Sequence, residues 1–258
     1  MKLDLDGKVA LVTGGTKGIG RACAQALVAE GTRVAIVART DAAITSSVAE
    51  IGCAFGMAAD LSDTDAAAAM VTEVEARLGP IDILVNCAGA ARRVPAETLD
   101  VSAYRAAMDA KFFSYVNVMD PVIKHMAKRG TGVIINVIGD GGRLASPVHI
   151  AGGSANAALM LTTVGLANAY APKGIRVIGL NPALTKTERV AERMRAVAVQ
   201  DDITEAEALA KEQASIPIGR LAEPGEIADL VTFLSSDRAS YVTGVNIKLD
   251  GAKNPTAS

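Results

Sequence analysis

The stretch VALVTGGTKGIG, residues 9–20, is an apolar run that ends in three spaced glycines and leads into an amphipathic segment. Val9–Val12 are apolar on both faces, the pattern of a parallel strand covered by helices on both sides. Gly14, Gly18 and Gly20 follow with the spacing GxxxGxG. Glycines at a strand-to-helix turn let backbone N–H groups approach a pyrophosphate at the helix N-terminus. A glycine cluster alone reads equally as a tight turn. Its place between the first strand and the first helix favours nucleotide binding.

Outward from this turn the pattern repeats. RVAIVA (33–38), IDILVN (81–86), GVIINV (132–137), IRVIGL (175–180) and VNIKL (245–249) read as strands. Ile19–Glu30, Asp63–Leu78 and Ala157–Tyr170 read as helices between them. Strand alternating with helix gives an α/β fold, a single Rossmann-type doubly wound parallel sheet over residues 1–258. No repeat and no Pro- or Ser-rich linker divides it. The charged segment 188–215 interrupts the alternation. Thr204 and Glu207 form a capping-box pattern there. It reads as a helical lid or as a plain surface helix pair.

Composition narrows the partners. The chain has 258 residues, 50% hydrophobic, with a net charge of −2. Near-neutral charge offers no footprint for nucleic acid, and 3% aromatics without Trp offer no base-stacking platform. Cys23, Cys53 and Cys87 are scattered without metal-ligand spacing and read as reduced thiols of a cytoplasmic protein. MKLDLDGK lacks the apolar core of a signal peptide. No run of the roughly 18 apolar residues needed for a membrane span stands out.

At the end of the second strand an acid would bind a ribose 2′-OH. The chain has Ala38 and then Arg39. Arg39, with Lys17 from the glycine turn, suits a 2′-phosphate, and hence NADP(H). Ordinary solvated cations are the other reading.

These motifs together resemble the short-chain dehydrogenase/reductase family over nearly the whole chain. TGGTKGIG resembles its cofactor turn, Asp60 its adenine aspartate, NCAG (86–89) its NNAG, and GIRVIGLNPALTKT (174–187) the segment meeting the nicotinamide. IGRLAEPGEIADLVTFLSSDRASYVTGVNIKLDG (218–251) resembles its C-terminal signature. The resemblance implies cofactor contacts from Gly14, Thr16, Lys17, Gly18, Ile19, Gly20, Arg39, Asp60, Leu61, Asn86, Ala88, Gly89, Asn156, Pro182 and Thr187. It also implies a homotetramer and a small-molecule substrate.

The family's Asn-Ser-Tyr-Lys tetrad falls, position by position, on Lys111, Gly139, Gly152 and Asn156. All four residues differ, so the usual alcohol–ketone mechanism does not carry over. Lys and Asn look exchanged between two helices, which suggests an active-site cation at Lys111 facing Asn156. A snorkelling or structurally paired lysine is the alternative. His149, three residues before Gly152, reads as a proton donor or as a structural histidine. Tyr115 and Ser154 are further hydroxyl candidates, and Asp140 reads best as a turn former. Arg92, Arg93, Arg143 and Arg189 border the expected substrate loops. They suit an anionic substrate, or are independent surface arginines. The leading reading is an NADP(H)-dependent oxidoreductase with catalytic Lys111, His149 and Asn156. A nucleotide-binding protein without turnover and a lyase on the same fold are the alternatives. The polar tail KNPTAS (253–258) reads as loosely held.

Overall fold

Seven parallel strands, in the order β3-β2-β1-β4-β5-β6-β7, make one sheet in the computed structural model, which describes residues 2–89 and 91–255. They are β1 (Val9–Thr13), β2 (Arg33–Ala38), β3 (Phe55–Ala58), β4 (Ile83–Asn86), β5 (Gly132–Val137), β6 (Ile175–Pro182) and β7 (Asn246–Leu249). The helices are α1 (Gly18–Ala29), α2 (Asp41–Ile51), α3 (Thr64–Leu78), α4 (Val101–Ala107), α5 (Ser114–Arg129), α6 (Ile150–Tyr170), α7 (Glu188–Asp201), α8 (Glu205–Ala214) and α9 (Pro224–Ser235). One apolar layer packs α3, α5 and α6 on the sheet, and a second packs α1 and α9 on the opposite face. The strand order reverses between β1 and β4, where Thr13 pairs with Asn86. That reversal opens the crevice at the strands' carboxyl ends, the place such sheets offer a ligand.

Two elements differ from the sequence reading. β3 was not expected, because FGMA is short and carries Gly56. A Cβ at Gly56 would fall 2.6 Å from both Ile44 and Val48 side chains, so the glycine lets α2 close on this strand. α6 begins at Ile150, not Ala157. Each helical glycine costs about 1 kcal/mol against Ala, which hid the first two turns. Here Gly152 and Gly153 permit close packing: a Cβ at Gly153 would lie 2.7 Å from Gly141 O. The residues Ile150–Lys173 are also long and apolar enough to cross a membrane by length and composition, a feature the run-length reading missed. In this fold Asn156, Leu159, Thr163 and Ala167 of that helix are buried.

Segment 188–215 forms α7 and α8 with a small core of their own, including Val190, Met194, Ala198 and Ala208. Thr204 Oγ1 accepts from Glu207 N at 3.2 Å and Glu207 Oε2 accepts from Thr204 N at 2.8 Å, closing the capping box. The tail departs from expectation. Lys253 pairs with Glu212 of α8, and Asn254 Nδ2 donates to Asp140 Oδ2 at 3.4 Å. Its residues 256–258 lie outside the described residues.

Candidate active site

The glycine turn makes a cradle that side chains would fill. Gly14 and Gly18 have φ +67° and +56°, the left-handed region that favours glycine. A Cβ at Gly20 would fall 2.3 Å from Gly14 O, and one at Gly14 would lie 3.0 Å from Ala88 N. Lys17 stands at the N-cap position of α1, so the first free amides of that helix, from Gly18 and Ile19, border the cradle. Thr13 Oγ1 accepts from Cys87 N and Ala88 N, both at 3.1 Å, tying the β1 and β4 ends together. These features fit a dinucleotide pyrophosphate.

Around the cradle the sequence-derived residues divide by role. Lys17 and Arg39 are exposed, and among the described residues neither has a carboxylate within 4.0 Å. Asp60 accepts from Ser62 Oγ at 2.6 Å and Ser62 N at 2.9 Å; these bonds, with help from the Arg39 charge, hold its carboxyl below the usual range. Leu61 is buried and its carbonyl accepts from Asn117. Asn86 is fully buried, and its Nδ2 donates to Asn136 Oδ1 at 3.0 Å. Its side chain serves the interior, leaving its backbone to the crevice. Gly89, at φ +90°, packs so closely on the next segment that a Cβ would fall 2.0 Å from Ala110 O. Thr187, at the start of α7, lies 3.3 Å by its Cγ2 from the Cβ position of Gly18. Pro182 is buried at the end of β6. The base of the helix pair therefore touches the cofactor turn.

Lys111 lies in a π-helical turn, Met108–Phe113, between α4 and α5. It is 7% exposed. Its Nζ donates to Tyr115 Oη at 2.7 Å and to Val137 O at 3.1 Å, and lies 4.3 Å from the Tyr115 ring centroid. Burial lowers its pKa from 10.5 to about 7; Cys87 opposes the shift and Arg189 adds to it. Among the described residues no hydrogen bond joins the Lys111 amine to Asn156, because the carbonyl at the end of β5 and the phenol claim it. Asn156 is buried on α6 with its Nδ2 3.5 Å from the Cβ positions of Gly139 and Gly141.

His149 is the residue before α6, not a free loop side chain. Its ring fills the space above Gly152: a Cβ there would fall 2.1 Å from His149 Cε1 and 2.6 Å from Nε2. Its Nδ1 is buried without a hydrogen-bond partner. Burial, and then the charge of Arg93, lower its pKa, while Asp140 raises it. Asp140 itself is pushed up by burial and accepts from Asn254.

Several other candidates are assigned elsewhere by their contacts. Arg143 donates to Asn246 O at 2.8 Å, a bond between the 140s turn and the β7 strand. Tyr115 is fully buried and donates to Val137 O at 2.5 Å. Ser154 donates back to Ile150 O within α6. Sequence reading missed Asn181, which is buried, donates to Gly139 O at 2.9 Å and leaves Oδ1 without a partner. Only the β5–β6 pairing brings Asn181 to that turn, and no local pattern announces it.

The short chain dehydrogenase family profile matches residues 8–211. D-threitol dehydrogenase of Mycolicibacterium smegmatis is 33% identical over 251 residues, covering 96% of this chain and 93% of that protein. Acetoacetyl-CoA reductase of Allochromatium vinosum is 32% identical over 95% of this chain and 97% of its own length. Among solved structures, a variant of actinorhodin polyketide ketoreductase with NADPH superposes with a TM-score of 0.91 at 28% identity, covering 95% of this chain and 97% of that one. Levodione reductase superposes equally well, with a TM-score of 0.91 at 28% identity over 96% of this chain and 98% of its own.

Proposed function

The chain belongs to the short-chain dehydrogenase/reductase family, and on that premise we propose that it is an NADP(H)-dependent oxidoreductase whose proton-transfer groups are its own. The observation that carries this reading is the His149 ring in the volume directly above Gly152, against the Gly141 turn at the end of β5. The nicotinamide, when bound, supplies or accepts hydride. Everything else falls to the chain.

The cradle amides and the N-terminus of α1 take the pyrophosphate. Arg39 and Lys17 take the 2′-phosphate, and Asp60 borders the adenine end. His149 holds the proton at Nε2 and exchanges it with the substrate oxygen. Imidazole suits this near neutral pH, and its lowered pKa makes it a readier donor once protonated. Lys111, with a pKa of about 7, holds the end of β5 through Val137 O, and so positions the strand end from which the Gly139 turn leaves. Asn156 offers an amide to a substrate hydroxyl or a water at the Gly139–Gly141 turn. Of the glycines there, Gly139 leaves room for a small-molecule substrate, since a Cβ at that position would meet nothing closer than Asn156 Nδ2 at 3.5 Å. α7 and α8 close over it as a lid. The reading includes a homotetramer, supported by the exposed Leu161 and Val164 on α6. Light scattering after gel filtration reads that state directly.

Titration calorimetry with NADPH and NADH tests the cofactor reading. Tighter NADPH binding is the expected result, and Arg39→Asp should remove the preference. Equal affinities, or a preference that survives Arg39→Asp, would end the 2′-phosphate assignment.

A further inference from the structure

Arg93 lies on a segment that runs beside the one carrying His149, the imidazole that the proposed reaction uses. Val94 N donates to Val148 O at 3.1 Å, lacing the segment that carries Arg93 to the one that carries His149. Ala91 Cβ and the His149 ring both converge on the Cβ position of Gly152, at 2.8 Å and 2.1 Å. Arg93, between Ala91 and Val94, is thus carried by backbone that is held against this small space. From the helix pair, Arg193 and Glu212 face it. Glu212 is already engaged by Arg193 at 3.0 Å and by Lys253. Asp140 is engaged by Asn254. Arg93 is exposed, and among the described residues no carboxylate lies within 4.0 Å of its guanidinium. Arg193 and Lys253 thus share Glu212, and Arg93 is left without a carboxylate partner among the described residues.

We propose that Arg93 anchors an oxyanion of the substrate, a carboxylate or phosphate group, and that this anchoring readies His149 as the proton donor. The inference rests on the oxidoreductase reading and names its substrate class. A guanidinium presents a planar fork that matches a carboxylate or phosphate with two parallel bonds. The charged groups that act on His149 are Arg93 from the 91–95 segment, which disfavours the imidazolium, and Asp140 from the turn after β5, which favours it. An oxyanion seated on Arg93 cancels the repulsion. The imidazole then takes up a proton as the substrate arrives, and an uncharged molecule of the same shape leaves the donor unprimed.

Only two histidines exist, and His125 of α5 pairs with Glu75 of α3 at 2.7 Å. Proton NMR can therefore follow the His149 Cε1–H signal through a pH titration, with His125 as internal control. The experiment uses protein saturated with NADPH, so that added anions do not compete at Arg39. Sodium acetate stands for a carboxylate and sodium sulfate for a phosphate, each against chloride at equal ionic strength. The titration midpoint of His149 should rise with acetate or sulfate, and His125 should not move. Arg93→Gln should raise the midpoint without anion and abolish the anion effect. Arg93→Lys should keep the effect in weaker form. An unmoved His149 midpoint, or an equal rise in Arg93→Gln, overturns the proposal. NADPH fluorescence is recorded in parallel and separates the two readings. Normal NADPH binding without the anion effect removes Arg93 alone. An Arg93-dependent effect in a protein that fails to bind NADPH keeps the anion site and removes the cofactor reading.

Discussion

Lys111 shows what a single residue decides here. Its amine is buried, and its bonds run to a phenol and a carbonyl, neither of which supplies a negative charge. The native state therefore prefers the neutral amine, with a pKa near 7 against an ordinary 10.5. Between those values the unfolded chain binds a proton that the native chain does not. Stability contributed by this site rises as pH climbs through that window. Below it, both states are protonated and the cost of the buried charge is fully present. Each unit of separation corresponds to about 1.4 kcal/mol. Lys111→Met removes the charge, and Tyr115 Oη still donates to Val137 O, so no buried group is orphaned. Denaturant melts of both proteins from pH 6 to 10 should show the wild-type curve climbing relative to the variant. Parallel curves would mean that the amine is not neutralised by burial. Turnover on a substrate, once one is known, should fall about 10²–10⁴-fold for His149→Ala, the usual contribution of a positioned acid–base group. The unusual setting of Lys111 was legible in sequence, because Ala107, Met108 and Tyr115 make an apolar helix face around it. Its partner was not legible, because the Val137 carbonyl arrives through strand packing.

At the scale of elements, α6 explains both what was read and what was missed. The stretch HIAGGSANAAL contains two adjacent glycines, so helix propensity alone argues against a helix start at Ile150. The tertiary contact overrides it, since the glycine face of α6 meets the 140–142 turn at a distance no side chain allows. The same contact predicts the outcome of Gly152→Tyr. A side chain there must displace the His149 ring and press on Ala91. This single variant should lose stability and gain no ketone reduction, because Gly139 and Asn156 still lack the hydroxyl and amine that would orient a carbonyl and tune a phenol. Groups that act as a unit are strongly non-additive. Assays on simple ketones beside the quadruple variant Lys111→Asn, Gly139→Ser, Gly152→Tyr, Asn156→Lys test this. Robust turnover by the single variant would contradict it. The capping box at Thr204 was readable because its partners are three residues apart. Thr204→Ala should cost about 1 kcal/mol, with exchange of α8 amides the first to accelerate.

For the whole molecule, the carboxyl ends of the strands gather what the chain scatters. Gly18 and Thr187 are 169 residues apart in sequence, yet a Cβ at Gly18 would touch the Thr187 methyl group at 3.3 Å. The alternation of apolar runs was enough to anticipate the doubly wound sheet, and the glycine turn at 14–20 its nucleotide crevice. It could not anticipate that the tail folds back, because Lys253 and Asn254 gain their partners only after α8 and the 140s turn are in place. The base of α7 rests on the cofactor turn, and the tail straps the end of α8 to the turn beside His149. A ligand in the cradle should therefore steady the helix pair as well as the sheet. A ligand that binds only the native state at a hundred times its Kd adds about 2.7 kcal/mol of stability. NADPH should raise the melting temperature more than NADH at equal concentration. Hydrogen exchange should slow in the first turn of α7 together with α1, while α3 on the opposite face of the sheet changes least. Protection confined to α1, with α7 unchanged, would separate the helix pair from the cofactor turn and leave substrate alone to close it.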